Sequence, residues 1–106
     1  MNLQSTRPLV AAVLCAAAAG AALAQGAADM RGAYLAANCA NCHGTNGRSL
    51  TDIARLAGQP KETTVKALRE FRDGRRVATI MHQLAKGYSD EQFELMAEFF
   101  ARQPAR

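Results

Sequence analysis

Two cysteines and a histidine stand close together before the middle of the chain. Cys39, Cys42 and His43 form the pattern C-x-x-C-H, which is the attachment motif of a c-type haem. Cysteines at this spacing lie on one side of a helical turn, so both thiols can reach vinyl groups of the same porphyrin and form thioethers. The next residue, His43, can then bind the iron through a ring nitrogen. The motif therefore predicts one covalently attached haem c with His43 as an axial ligand.

Two other kinds of site use paired cysteines, and the sequence favours neither. A thioredoxin-like redox pair lies in a βαβ unit, and no such pattern surrounds Cys39 and Cys42. A structural zinc site needs four ligands, and beyond the motif residues 25–106 contain just one more histidine, His82. Haem attachment is the interpretation that agrees with the rest of the chain.

A haem that carries electrons needs a second axial ligand on the opposite face of the porphyrin. Met30 stands on the helix that leads into the motif, so it is poorly placed to reach that face. Met96 falls on the apolar face of a C-terminal helix, where a core methionine is expected. Met81 follows a basic, glycine-containing turn, far enough along the chain to lie beyond the haem edge. We predict Met81, with His82 as its main rival; the alternative for His82 is an exposed side chain near the haem edge.

Four polar residues are weaker candidates for the surroundings of the haem. Arg75 and Arg76 could approach a haem propionate or a partner protein, although a charged pair after a helix is usually solvated. Gln59 and Tyr88 could donate hydrogen bonds to propionates, or they could shape turns. No acid–base machinery is predicted in the chain, which supplies ligands, burial and a docking face.

Three long helices are predicted to position these residues. The first covers residues 29–38, with Asp29 as its cap, and leads into the haem motif. The second covers residues 60–73. The third begins after Ser89, and Gln92 stands at the capping-box position three residues later.

Residues 44–60 are rich in Gly, Thr, Asn and Ser, and their turn signals predict a loop with at most a short helical turn. No alternating strand pattern and no internal repeat occurs in the chain. The sequence therefore predicts an all-α fold. Loops and three main helices would surround the haem.

The N-terminus has the pattern of an export signal. Arg7 is the sole charge before the apolar, alanine-rich stretch at residues 9–23, and Ala-Leu-Ala at residues 22–24 is a cleavage site for signal peptidase. A membrane anchor is the alternative, but this run falls short of the roughly 20 apolar residues that span a bilayer. We predict a cleaved signal peptide at residues 1–24 and a monohaem domain at residues 25–106, periplasmic and without a membrane span.

Size and charge limit the cofactors and partners that are expected for this chain. A domain of residues 25–106 is close to the size at which apolar burial alone no longer stabilises a fold, so a covalently held group would complete its core. Cys15 would leave with the signal peptide. The formal net charge of +4 falls by one when Arg7 is removed, and such a modest excess favours an acidic partner surface. An exported chain without a binding module is not expected to bind nucleic acid.

Several segments resemble class I cytochromes c, and within that class the small bacterial monohaem group. The motif is followed by Gly-Thr-Asn-Gly at residues 44–47, and residues 56–59 and 71–75 are similar to the group's downstream loop and middle-helix ending. Residues 32–35 and 99–100 look like the contact between its terminal helices. The resemblance implies a small class I cytochrome c fold around one haem.

Residues 79–81 and 84–93 are similar to the cytochrome subunit of flavocytochrome c sulfide dehydrogenase. In that family the methionine that matches Met81 is the sixth iron ligand. The family's cytochrome subunit binds an FAD-containing flavoprotein subunit that oxidises sulfide, and it accepts the electrons one at a time. The resemblance therefore implies a flavoprotein partner and a downstream electron acceptor.

Two positions depart from the family's pattern. Many relatives carry a proline shortly before the Leu-Ala-Gly-Gln segment, and residues 52–55 contain none. This leaves open which carbonyl orients His43. His82 stands where a small residue such as glycine is expected.

Three functions are compatible with these features. The first is one-electron transfer as the cytochrome subunit of a sulfide-oxidising flavoenzyme. The second is a free monohaem carrier that shuttles electrons between respiratory complexes. The third is a haem sensor or peroxidase-like protein, in which Met81 would dissociate to open the iron.

Overall fold

The computed structural model describes residues 7–105, and over that range it contains helices and turns but no strand. The predicted all-α fold is confirmed, and three of the helices are long. The elements are α1 (Arg7–Ala37), α2 (Ala40–His43), a 3₁₀ turn (Thr45–Gly47), α3 (Lys61–Arg72), α4 (Met81–Ala85) and α5 (Asp90–Ala101).

Helix α1 is much longer than the predicted helix at residues 29–38. It runs without interruption from Arg7 to Ala37, because the alanine-rich stretch has high helix propensity and contains no stop signal. The prediction that Asp29 caps this helix is wrong, since Asp29 lies in its interior. Its carboxylate instead accepts a hydrogen bond from the guanidinium of Arg102, just after α5.

Residues 7–24 of the predicted signal peptide lie in the N-terminal part of α1. Over Ala12–Ala37 the helix is long and apolar enough to cross a membrane, judged by length and composition alone, and a signal sequence meets the same criterion. Residues 1–6 and Arg106, which the predicted domains include, lie outside the described residues. Cleavage after Ala24 stays a prediction.

Helix α5 supplies most of the core. Its start is capped as predicted: the Ser89 hydroxyl accepts from the Gln92 amide at 3.2 Å, and the Gln92 side chain accepts from the Ser89 amide at 2.9 Å. The apolar side of the helix then faces inward. Its fully buried residues are Phe93, Met96, Ala97 and Phe100.

Helix α3 lies beside α5 and is joined to it by ion pairs. Lys61 contacts Glu94 at 3.1 Å, and Arg72 contacts Asp90 at 2.7 Å. The Arg72 hydrogen bond lowers the pKa of the Asp90 carboxyl. Solvent screens these exposed pairs, so they align the two helices more than they stabilise the fold. Val65 supplies the buried apolar contact of α3.

The crossing of α1 and α5 depends on a glycine. A Cβ atom on Gly32 would stand 2.7 Å from the carbonyl oxygen of Leu95 and 3.5 Å from the Cβ atom of Phe99. The backbones can therefore approach this closely because position 32 has no side chain. This agrees with the terminal-helix contact that the resemblance implied.

Replacing Gly32 by alanine should destabilise the protein by about 1–2 kcal/mol. Overpacking costs about 1–3 kcal/mol and the higher helix propensity of alanine returns up to about 1 kcal/mol. The clash is with a backbone oxygen, which cannot rotate away. Denaturant unfolding of the haem-loaded protein measures the change. Gly26→Ala is the matched control, because nothing lies within 4 Å of its added Cβ; equal stability of the two variants would contradict the close-contact explanation.

Candidate functional site

The two motif cysteines lie on a single helical turn. Cys39 precedes α2, and its carbonyl oxygen accepts from the amides of Cys42 at 3.3 Å and His43 at 2.9 Å. The thiol-bearing residue Cys39 packs against the hydrophobic core, whereas Cys42 is exposed. Burial, and then the charge of Cys42, raise the pKa of the Cys39 thiol. The predicted arrangement of the motif on one turn is present.

A backbone carbonyl orients the imidazole of His43. The Nδ1 atom lies 2.6 Å from the carbonyl oxygen of Ala54, and because a carbonyl can only accept, Nδ1 carries the proton. The Nε2 atom is then left with its lone pair, which is the form of histidine that binds a metal. Ala54 lies in the segment where the family's proline is missing. Sequence reasoning did not identify this contact, since a backbone acceptor has no side-chain signature.

Two glycines bend the loop that brings Ala54 to the histidine. Gly44 and Gly47 have φ values of 78° and 75°, which residues with a Cβ atom rarely adopt. The Gly47 carbonyl oxygen accepts from the amides of Leu56 at 2.9 Å and Ala57 at 3.1 Å. These bonds close the loop on both sides of the Ala54 position and hold it against α2.

Met81 and His82 form the first turn of α4. Both are half-buried, so the expectation of an exposed histidine is wrong. The Nδ1 atom of His82 is inaccessible to solvent and has no hydrogen-bond partner among residues 7–105. Ala85 anchors the other end of the helix, where just 1% of its surface is exposed.

The other two methionines occupy different places. Met30 is 71% exposed on α1. Met96 is buried in the cluster that contains Phe93 and Phe100, as predicted for a core methionine. Met81 is thus neither part of the buried cluster nor on an outer helix face.

Arg75 and Arg76 have acidic partners within the chain. The guanidinium of Arg75 contacts Asp73 at 3.0 Å, and that of Arg76 contacts Glu70 at 3.6 Å. Arg76 also lies over the Phe71 ring at 5.1 Å from its centroid. These contacts give both arginines a structural role at the end of α3.

Gln59 and Tyr88 also have local partners. The Gln59 amide donates to the carbonyl oxygen of Arg55. Asn38 donates a long hydrogen bond of 3.4 Å to the Tyr88 hydroxyl. Gln59 shapes the loop after the motif, and Tyr88 links α1 to the turn before α5.

Apolar side chains are exposed on the two segments that carry the predicted ligands. Leu50 and Ile53 lie on the loop after His43, and their exposed fractions are 97% and 44%. Val77 is fully exposed and Ile80 is 52% exposed, just before Met81. Unburied aliphatic side chains on both segments suit contact with a large apolar group.

The match to known proteins decides which kind of site the paired cysteines form. The family model described as "Cytochrome c" matches residues 27–102. The chain belongs to the cytochrome c family. A cytochrome c carries covalently attached haem c, and its function is electron transfer. Among residues 7–105 no group of three or more His, Cys, Asp or Glu side chains is placed to hold a metal ion.

Three relatives of this cytochrome differ in name and in how much of their length the alignment covers. It is 42% identical over 72 residues to the cytochrome subunit of sulfide dehydrogenase from Chlorobaculum tepidum, covering 68% of this chain and 66% of the relative. It is 34% identical over 101 residues to cytochrome c-553 of Nitratidesulfovibrio vulgaris, covering 91% and 97%. Cytochrome c4 of Pseudomonas aeruginosa is 34% identical over 96 residues, covering 90% and 47%.

The donor set of this cytochrome fits haem c. Two thiols on one helical turn match the attachment chemistry, and the free Nε2 lone pair of His43 matches an axial ligand. The alignment spans just under two thirds of the sulfide dehydrogenase subunit and about half of cytochrome c4. The functions of these whole proteins are therefore proposals for this chain.

Proposed function

We propose that this cytochrome is the electron-transfer subunit of a periplasmic, sulfide-oxidising flavoenzyme. The observation that carries this proposal is the 42% identity to the cytochrome subunit of a sulfide dehydrogenase. Residues 79–81 and 84–93, which resemble that family, support it from the sequence. The apolar N-terminal helix is compatible with export.

Four side chains hold the haem in this proposal. Cys39 and Cys42 would form the thioethers, while His43 and Met81 would bind the iron. The Ala54 carbonyl keeps the His43 ring in one orientation and makes its Nε2 atom a stronger donor. When bound, the haem supplies an iron that alternates between Fe(III) and Fe(II), and a thioether ligand favours the reduced state.

The polypeptide gives the site its selectivity for electron transfer. If His43 and Met81 both held the iron, they would leave no free position for oxygen or peroxide. Leu50, Ile53 and Ile80 would shield the bound porphyrin from water, since these exposed aliphatic side chains lie on the segments that carry the two ligands. The chain then needs neither a general acid nor a general base, and it accepts and passes on one electron at a time.

The partner in this proposal is an FAD-containing flavoprotein. Oxidation of sulfide to sulfur releases two electrons, so a flavin is needed to accept the pair and release single electrons. Two such steps reduce this cytochrome twice, and a downstream acceptor reoxidises it between them. Lys86 adds a positive charge near α4 that suits an acidic partner surface.

The proposal is tested on cytochrome isolated gently from its native cells after chemical crosslinking. We expect a flavin absorption beside that of the haem, and we expect sulfide to reduce the haem within the complex. Crosslinking retains a partner that ordinary purification would remove. Purified cytochrome alone, mixed with sulfide under the same conditions, is the control and should be reduced far more slowly.

A free monohaem carrier is the second candidate. It is favoured by the alignment to cytochrome c-553, which covers 97% of that relative. Crosslinked material that contains haem but no flavin, and that is reduced by general donors but not by sulfide, would support this candidate and contradict the first.

A further inference from the structure

We propose that His82 is a reserve iron ligand, which binds the iron when the Met81 thioether does not. The inference rests on the proposed axial ligands His43 and Met81. It concerns a residue that departs from the family's pattern at the position directly after the proposed sixth ligand.

One ring nitrogen of the half-buried His82 is itself buried and has no partner among the described residues. Its Nδ1 atom is inaccessible to solvent, and no residue between 7 and 105 donates to it or accepts from it. A buried polar atom without a partner is unfavourable, because it has lost its hydrogen bonds to water. No hydrogen bond would therefore have to be broken before the ring turns toward a new partner. An iron ion is a partner that imidazole binds well.

Helix α4 is short, and few contacts within it hold its first turn. It has just five residues, and no side chain caps its N-terminus at Ile80. The amides of Gln83 and Leu84 bond to the Ile80 carbonyl oxygen, and these are the contacts that define the turn. Exposed Val77 lies on the preceding segment and does not hold it. Ala85, by contrast, is buried and fixes the far end of the helix.

Neighbouring positions on a helix are related by a rotation of about 100°. A rotation of the first turn of α4 by this angle would bring position 82 to the direction that position 81 held. The long Met81 side chain would move away at the same time. Helix α4 also packs against α3, so this rotation would require local opening of the first turn, which short helix ends undergo most readily.

The exchange is a ligand substitution and involves no electron transfer. One iron–sulfur bond is lost and one iron–nitrogen bond to His82 is formed. The iron would keep two axial ligands, so it would stay closed to small molecules. Two histidine ligands would also give a lower reduction potential than one histidine and one methionine.

Three haem-loaded variants test the proposal: Met81→Ala, His82→Gln, and the double variant that combines them. In Met81→Ala we expect the ferric thioether absorption band to vanish while the haem stays six-coordinate and low-spin. The double variant should become high-spin. Added imidazole should bind the double variant at least about tenfold more tightly than Met81→Ala, because His82 competes for the site in the single variant.

The His82→Gln variant distinguishes Met81 from His82 as the iron ligand of the wild-type protein. It should keep the thioether band, since Met81 remains. A high-spin Met81→Ala variant that binds imidazole as tightly as the double variant would overturn the reserve-ligand proposal and leave Met81 as the ligand. If Met81→Ala instead had the wild-type spectrum and His82→Gln lost the low-spin spectrum, the proposed axial pair of His43 and Met81 would be overturned. Circular dichroism checks that each variant is folded.

Discussion

Replacing Cys39 and Cys42 by alanine should yield a chain that holds no covalent haem and does not keep its native helix packing. The buried apolar core within the described residues is small. Half of its members are alanines: the core consists of Ala36, Ala57, Val65, Ala85, Phe93, Met96, Ala97 and Phe100. A folded domain is stable by about 5–15 kcal/mol, and so small a core cannot supply that without the porphyrin.

The cysteine variant is measured by haem staining after denaturing electrophoresis and by circular dichroism. We expect no haem stain and a strongly reduced helix signal. Asn41→Ala is the matched control, because Asn41 is an exposed residue between the two cysteines, at a position where the motif requires no particular residue. It should leave staining and helix content unchanged. A stably folded, haem-free double variant would show that the polypeptide core is sufficient.

The second large effect is expected at Gly47. Replacing it by alanine should destabilise the haem-loaded protein by about 2–5 kcal/mol, from backbone strain of about 1–2 kcal/mol and overpacking of about 1–3 kcal/mol. Its φ is +75°, and an added Cβ would lie 2.8 Å from both the Leu56 Cβ atom and the Phe100 Cδ1 atom. The loop would shift, and the hydrogen bond from His43 to Ala54 would weaken with it.

Gly74→Ala is the matched control for this variant. Gly74 has nearly the same φ, +74°, but nothing lies within 4 Å of its added Cβ. It should therefore show the strain alone, about 1–2 kcal/mol. Denaturant unfolding gives the stabilities, and the haem spectrum reports on the His43 ligand. Equal losses at the two glycines would mean that the close packing of Gly47 contributes little.

The features that the sequence predicted well depend on short-range patterns. The haem motif needs Cys39, Cys42 and His43 on one turn, and the hydrogen bonds that define this turn join residues at most four positions apart. The start of α5 follows from Ser89 and Gln92, which pair with each other's backbone. Such features depend on residues within four positions of each other, so the local sequence is enough to predict them.

The same local rules explain one error. Asp29 is a good capping residue, but nothing in the alanine-rich stretch before it stops a helix. The helix therefore continues through it. Its carboxylate instead accepts a hydrogen bond from Arg102, and no local sequence pattern connects these two residues.

What the sequence determined by itself is the chemistry: the haem-binding motif, the helical class and the apolar faces. Only the tertiary structure decided which carbonyl orients His43, why Gly47 cannot carry a side chain, and that His82 is half-buried. The reason is physical. Each of these depends on an atom brought close by the fold from a different part of the chain, and the Ala54 carbonyl and an unpaired imidazole nitrogen leave no mark in residue type or spacing.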